Sequence, residues 1–145
     1  MPVVIARAVT VDRPVDRVFR YLSDFTTTNE WDPGTVRTTC EEGDGGVGTR
    51  YRNVVRSLGR ETELTYVVEE LAPNLRVRLR GGNDAVLAHD VMTFMRTPSG
   101  GTTVSYRAEF ELREPAPSSP PLLAPLFGRV GGDADTGLRR ALERL

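Results

Sequence analysis

The sequence contains no lysine, because all 19 of its basic residues are arginines. A phosphate-binding loop of the Walker type needs a lysine, and so do Schiff-base and pyridoxal-phosphate enzymes. Arginine cannot take over that covalent role, since its guanidinium stays protonated at neutral pH. The absence of lysine therefore excludes these classes of enzyme.

Histidine and cysteine are nearly as scarce, with His89 and Cys40 as the single examples of each. A zinc site built from several histidines or cysteines cannot form, so we expect no metal and no cofactor. One cysteine also cannot form an internal disulfide, which favours a reducing, cytoplasmic location.

Long apolar runs are missing too, since no segment approaches 18 uninterrupted apolar residues. The first residues lack the basic start and apolar stretch of a signal peptide. The net charge is −1, from 19 basic and 20 acidic residues, which gives no electrostatic basis for nucleic-acid binding. We therefore expect no membrane insertion and no nucleic-acid partner.

A length of 145 residues fits one domain, 1–145. The β-branched segment from Val3 to Val11 predicts a strand, and Asp12 is the expected N-cap of the helix that follows. A second short helix is predicted from Phe25 to Trp31, capped by Asp24. Turn residues divide the stretch from 35 to 112 into about six further strands with alternating apolar and polar positions.

The last part of the chain has helical periodicity. Leu123, Phe127 and Val130 begin an apolar stripe that continues in steps of three or four to Leu145. A curved sheet of seven strands needs its concave face covered, and this predicted helix is the longest element in the sequence. We therefore expect a long C-terminal helix to pack against the sheet.

Short motifs follow each other along nearly the whole chain: VTVDRPVDRVF at 9–19, YLSDF at 21–25, WDPG at 31–34, GTRY at 48–51, VEELAP at 68–73, MTF at 92–94 and GTTV at 101–104. Their order and spacing resemble the polyketide cyclase/dehydrase and lipid-transport superfamily, which includes the START and birch-pollen-allergen-like proteins. The resemblance implies an α+β helix-grip fold. In that fold a seven-stranded curved antiparallel sheet wraps around a long C-terminal helix, and two short helices follow the first strand.

The resemblance also implies an internal cavity for a hydrophobic or aromatic small molecule, lipid-like or polyketide-like. We favour binding or carriage of such a molecule over catalysis. The alternative is a polyketide cyclase or dehydratase that uses a few polar cavity residues. A third hypothesis is a partner protein without a ligand, and an exposed edge strand could support a homodimer.

Asp90 and His89 are the candidate catalytic residues. Adjacent strand residues point to opposite faces, so the two cannot form a simple dyad in a regular strand. Asp90 shares its face with apolar residues, which predicts either a structural pair with an arginine or a contact to the ligand. For His89 we favour a structural role over catalysis, because no catalytic partner is evident.

Side chains on the predicted cavity wall are candidates for ligand contact, with the tyrosines as polar groups in an otherwise apolar pocket. For the tyrosines, simple core filling is an equal alternative, and for Trp31 anchoring of its helix is favoured. The glycine-rich segment 43–48 matches a dinucleotide motif, but a strand pattern follows it, which favours a turn. The candidate ligand contacts are Trp31, Tyr51, Asn53, Tyr66, Asp90, Tyr106, Leu123, Phe127 and Val130.

Overall fold

The computed structural model describes residues 3–57, 59–113 and 133–145, with the backbone alone at 57 and 133–135. None of the helices in these ranges is both long enough and apolar enough to cross a membrane. The described elements run in the order β1 (Val3–Val11), α1 (Val15–Ser23), a 3-10 helix (Phe25–Thr27), α2 (Thr28–Trp31), β2 (Thr35–Glu42), β3 (Arg50–Ser57), β4 (Arg60–Ala72), β5 (Arg76–Gly82), β6 (Val86–Arg96), β7 (Thr102–Leu112) and α3 (Asp133–Glu143).

The strands of the described residues form one seven-stranded sheet in the order β1-β7-β6-β5-β4-β3-β2. Each pair of neighbours is antiparallel. Strands β2 to β7 follow each other as hairpins, and the last strand, β7, pairs with the first strand, β1. This confirms the predicted seven-stranded antiparallel sheet, with β1 and β2 at its two edges.

Alternation of side chains gives the sheet a buried and an exposed face. On β5 the side chains of Val77 and Leu79 are buried, whereas those of Arg76, Arg78 and Arg80 are exposed. We call the buried side the inner face and the opposite side the outer face. Residues of β6 and β7 on the inner face are Val86, Ala88, Asp90, Met92, Phe94, Val104, Tyr106, Ala108 and Phe110.

Helix α1 covers part of the inner face. Its apolar residues at helical spacing are buried, and the Phe19 ring packs edge-on against Phe94 with 5.1 Å between centroids. The prediction that Asp12 caps this helix is wrong. Pro14 occupies the N-cap with an extended backbone, and its side chain makes no capping hydrogen bond. Asp24 caps the 3-10 helix as predicted, since its carboxylate accepts from the Thr26 amide at 3.1 Å.

Helix α3 packs against the junction between β1 and α1. Arg13 donates through Nε to the Leu145 carbonyl at 2.9 Å, and Arg139 donates to the Thr10 carbonyl at 2.9 Å. Leu138 and Leu142 of α3 are buried in the core. The described C-terminal helix covers 11 residues, Asp133–Glu143, and the predicted longer helix stays a prediction.

Candidate functional site

Asp90 is a fully buried carboxylate in the middle of the inner face. It lies on β6 beside Met92, which faces Tyr106 on β7. The Tyr106 hydroxyl reaches diagonally and donates to Asp90 Oδ2 at 2.5 Å. A buried carboxylate is unfavourable unless donors replace its lost water, so this bond stabilises Asp90 where it lies. The expected arginine partner of Asp90 stays a prediction.

Two further side chains adjoin Tyr106. Arg7 is half-buried on β1, directly opposite Tyr106 in the strand register. Trp31, at the end of α2, presents its ring to Tyr106 with 5.7 Å between centroids, and its indole N–H donates to Thr27 at 3.2 Å. We call Arg7, Tyr106 and Asp90 the polar band. It crosses three neighbouring strands on the inner face, with the Trp31 ring beside it.

His89 lies on the other side of the same strand. It is half-exposed on the outer face, between Arg80 of β5 and Glu109 of β7 in the register. Asp90, its neighbour in sequence, points to the inner face. The structure thus separates the two candidate catalytic residues by the thickness of the sheet.

Asn53 belongs to a buried hydrogen-bond network that joins the sheet to the short helices. Its amide nitrogen donates to Thr38 at 2.7 Å and to Thr35 at 3.4 Å. Thr28 donates to the Phe25 carbonyl at 2.8 Å and is bonded to Thr38 as well, so in that second bond Thr38 is the donor. A directed chain therefore runs from Asn53 on β3 to the backbone of the 3-10 helix. Ligand contact by Asn53 stays a prediction.

The aromatic rings of Tyr51 and Tyr66 pack around Phe25. Their centroids lie 5.8 and 4.9 Å from that of Phe25, and both tyrosines are buried. Burial raises the pKa of the Tyr51 hydroxyl above its usual value of 10.0, and the nearby Asp24 charge raises the pKa further. These rings form a continuous wall with the short helices. Ligand contact by Tyr51 and Tyr66 stays a prediction.

The glycine-rich segment 43–48 forms the loop between β2 and β3, and a strand follows it at Arg50. Two of its amides are used locally, since Gly45 donates to Thr49 at 2.9 Å and Gly46 to Asp44 at 3.0 Å. This confirms the predicted turn. Among the described residues, no group of three His, Cys, Asp or Glu side chains is placed to hold a metal ion.

Sequence reasoning missed the threonines at 28 and 38. They are separated by ten positions and bond to each other only because the short helices fold back onto β2. No local pattern in the sequence identifies such a pair. Arg7 did carry a signal, because it interrupts the apolar alternation of Val3, Ile5, Val9 and Val11. The candidate contacts Leu123, Phe127 and Val130 lie outside the described residues.

Comparison with known proteins identifies one family model that matches almost the whole chain. The family model described as polyketide cyclase / dehydrase and lipid transport matches residues 2–145. A search of curated proteins gave no match.

Solved structures with the same fold cover nearly the whole chain. A Thermus thermophilus protein superposes with a TM-score of 0.74 at 21% identity, over 97% of this chain and 94% of its own. A START superfamily protein from Mycobacterium smegmatis gives 0.73 at 17% identity, over 97% of both chains. The Zhui aromatase/cyclase from Streptomyces sp. R1128 gives 0.68 at 19% identity, over 99% of this chain and 84% of its own. At such identities these likenesses establish the fold alone.

Proposed function

Because this chain belongs to the polyketide cyclase/dehydrase and lipid transport family, we propose that it binds a hydrophobic or aromatic small molecule against the inner face of its sheet. The observation that carries the proposal is the buried hydrogen bond between Tyr106 and Asp90 within a largely apolar face. Binding sites for small molecules typically combine mostly apolar walls with a few placed polar groups.

Most of the affinity in this proposal comes from apolar surface. Each Å² of apolar area removed from water contributes about 25 cal/mol. The apolar side chains beside the polar band include Met92 and Phe94, and the Trp31 ring stands next to Tyr106. A flat aromatic ligand would gain ring contacts with Trp31 in addition to area burial.

Orientation of the ligand would come from the polar band. A phenolic oxygen that donates to a carboxylate retains acceptor capacity, so a ligand hydroxyl can donate to Tyr106. The Arg7 guanidinium, opposite Tyr106, carries donors for a carbonyl or carboxylate oxygen. An oxygen-bearing ligand should therefore bind more tightly than a hydrocarbon of the same shape.

The experiment uses Trp31, which is the single tryptophan of the chain. A hydroxyanthraquinone and anthracene are titrated into the purified protein while tryptophan emission is recorded. We expect saturable quenching by both, because Trp31 lies beside the proposed site. Tyr106→Phe should weaken binding of the hydroxyanthraquinone about fivefold to tenfold, the value of one hydrogen bond, and leave anthracene within about twofold.

Tyr21→Phe is the matched control, because the Tyr21 hydroxyl bonds to Glu30 at 2.8 Å away from the polar band. That variant should bind both probes as the native chain does. If neither probe quenches the tryptophan emission up to its solubility limit, the binding proposal is wrong. Equal affinities in Tyr106→Phe and Tyr21→Phe would overturn the role of Tyr106.

Catalysis is the second candidate function, and the same Tyr106–Asp90 pair favours it. In a cyclisation, the Asp90 carboxylate would accept a proton from the carbon next to a ligand carbonyl, while Arg7 donates to that carbonyl oxygen. That carbon would then bond to the carbon of a second ligand carbonyl, whose C=O π bond breaks and whose oxygen takes up the proton. The resulting hydroxyl would leave as water together with a hydrogen from the neighbouring carbon. The test is incubation with a linear poly-β-ketone analogue followed by mass spectrometry. Loss of water from the analogue, abolished by Asp90→Asn, supports an enzyme, whereas unchanged analogue supports a binding protein.

A further inference from the structure

The two edges of the sheet are built differently. At the β2 edge, the pairing with β3 shifts register twice, between Thr35 and Arg37 and between Cys40 and Glu42. Exposed charges such as Arg37 and Glu41 also line this edge. Bulges and charges of this kind prevent an edge strand from pairing with another strand. The β2 edge is therefore protected.

The β1 edge has a different character. Its pairing with β7 runs in a single register over Val3–Val11. The side chains of Val4, Ala6 and Ala8 are exposed on the outer face, and all are uncharged. A long and regular edge without charged side chains on its outer face is a template for another strand.

The backbone groups of β1 indicate which residues would pair. The Thr10 carbonyl accepts from Arg139 of α3, so Thr10 points its backbone away from β7. In a regular strand, alternate residues point their N–H and C=O groups to the same side. Val4, Ala6 and Ala8 therefore direct their backbone groups beyond the sheet edge. Arg139 already covers the end of this row at Thr10.

We propose that β1 pairs antiparallel with β1 of a second copy of this chain, around a twofold axis at Ala6. This register places Ala6 opposite its own copy and Val4 opposite Ala8, and it uses all three available residues. Each such pair can exchange two backbone hydrogen bonds. An axis at Arg7 would instead place two guanidinium groups opposite each other, which is unfavourable.

The shape of the outer face suits this register. A depression of about 500 Å³ lies next to the β1 edge. Its outer-face lining is uncharged except for Arg107, which lies opposite Ala6 in the register, and includes Ala6, Ala8, Val91, Thr93 and Ser105. Val4 is 43% exposed, a large fraction for an apolar side chain. In the proposed dimer, Val4 of each copy lies against Ala8 of the other, at the edge of this depression. The inference concerns the outer face and does not rest on the proposed function.

Sedimentation of the full chain across the micromolar to millimolar range tests the proposal. We expect a concentration-dependent dimer. Ala6→Glu should raise the dissociation constant at least about tenfold, because it places two carboxylates opposite each other. Thr39→Glu adds the same charge to an exposed position of the other edge strand and should leave association unchanged. Circular dichroism should show both variants folded, since each replaced side chain is exposed.

Mixing variants tests the register. An equimolar mixture of Ala6→Glu and Ala6→Lys should associate again, since opposite charges then meet across the axis. A native chain that stays monomeric throughout the range, or an Ala6→Glu variant that dimerises as the native chain does, would overturn the proposal. A mixture that stays monomeric would overturn the register at Ala6.

Discussion

At the scale of single residues, the pair Tyr66 and Gly81 shows how close packing restricts one position. The two residues face each other on β4 and β5, and Tyr66 is completely buried. A Cβ atom built on Gly81 would lie 2.6 Å from Cε1 of the Tyr66 ring. Real Cβ atoms do not approach that closely, so the ring occupies space that only glycine leaves open.

Gly81→Ala should therefore destabilise the protein by about 1–3 kcal/mol, the usual effect of overpacking a core. Gly46→Ala is the matched control, because the contact of a Cβ there with the described residues is with the flexible Asp44 carboxylate, at 3.2 Å. Urea unfolding of both variants checks this. Equal midpoints for the two would contradict the proposed packing of Tyr66.

The Tyr51 hydroxyl provides a pH prediction at the same scale. Burial raises its pKa above 10.0 in the folded chain, so the unfolded chain ionises first as the pH increases. The contribution of the neutral Tyr51 hydroxyl to the free energy of unfolding is complete below pH 10.0. It is lost as the pH rises through the higher pKa of the folded state. Tyr51→Phe should therefore lose less thermal stability above pH 10.0 than the native chain. If the melting temperatures of the two proteins fall equally as the pH rises, Tyr51 does not contribute to the pH dependence of stability.

At the scale of elements, α3 and α2 meet through a glycine. A Cβ on Gly137 would lie 2.5 Å from the Trp31 carbonyl oxygen, so the backbones of the two helices nearly touch there. This contact also holds Trp31, which adjoins the polar band. The docking of α3 is therefore linked to the geometry of the proposed site.

Gly137→Ala distinguishes helix propensity from packing. Propensity alone predicts stabilisation by about 1 kcal/mol, since alanine favours a helix over glycine. The close approach to Trp31 predicts a net loss of stability and a changed tryptophan emission, because the backbone oxygen cannot move aside easily. Thr136→Ala, at an exposed position of the same helix, serves as control. A stabilised Gly137→Ala variant would show that α3 is not tightly docked.

At the scale of the whole molecule, one sheet serves two separate roles in our proposals. Its inner face carries the polar band, and its β1 edge carries the backbone groups for pairing. Alternation sends neighbouring side chains of β1 to opposite faces, so Arg7 points inward while Ala6 and Ala8 point outward. Binding and dimerisation should therefore respond to different substitutions.

Two variants test whether ligand binding and dimerisation are independent. The hydroxyanthraquinone should quench the tryptophan emission of Ala6→Glu as it does that of the native chain, although this variant no longer dimerises. Tyr106→Phe should dimerise normally, although it binds the probe more weakly. Loss of probe binding together with loss of the dimer in a folded Ala6→Glu chain would show that the two roles are coupled.

Much of the architecture could be predicted from the sequence by itself. Strands of period two, short helices and turns rich in glycine, proline and asparagine depend on neighbouring residues, so local patterns reveal them. Alternation also placed Tyr51, Asn53, Tyr66 and Tyr106 on the buried face, where the structure has them. The order of the motifs led to the family that the comparison confirmed.

Only the tertiary structure decided which of these residues meet. The bonds from Tyr106 to Asp90 and from Asn53 to Thr38 join positions 16 and 15 residues apart. They depend on strand register, which turn lengths and bulges determine together. The same holds for the contrast between the two sheet edges and for the contacts of Gly81 and Gly137. Such contacts arise between distant segments that share the space of one core, and local patterns carry no information about them.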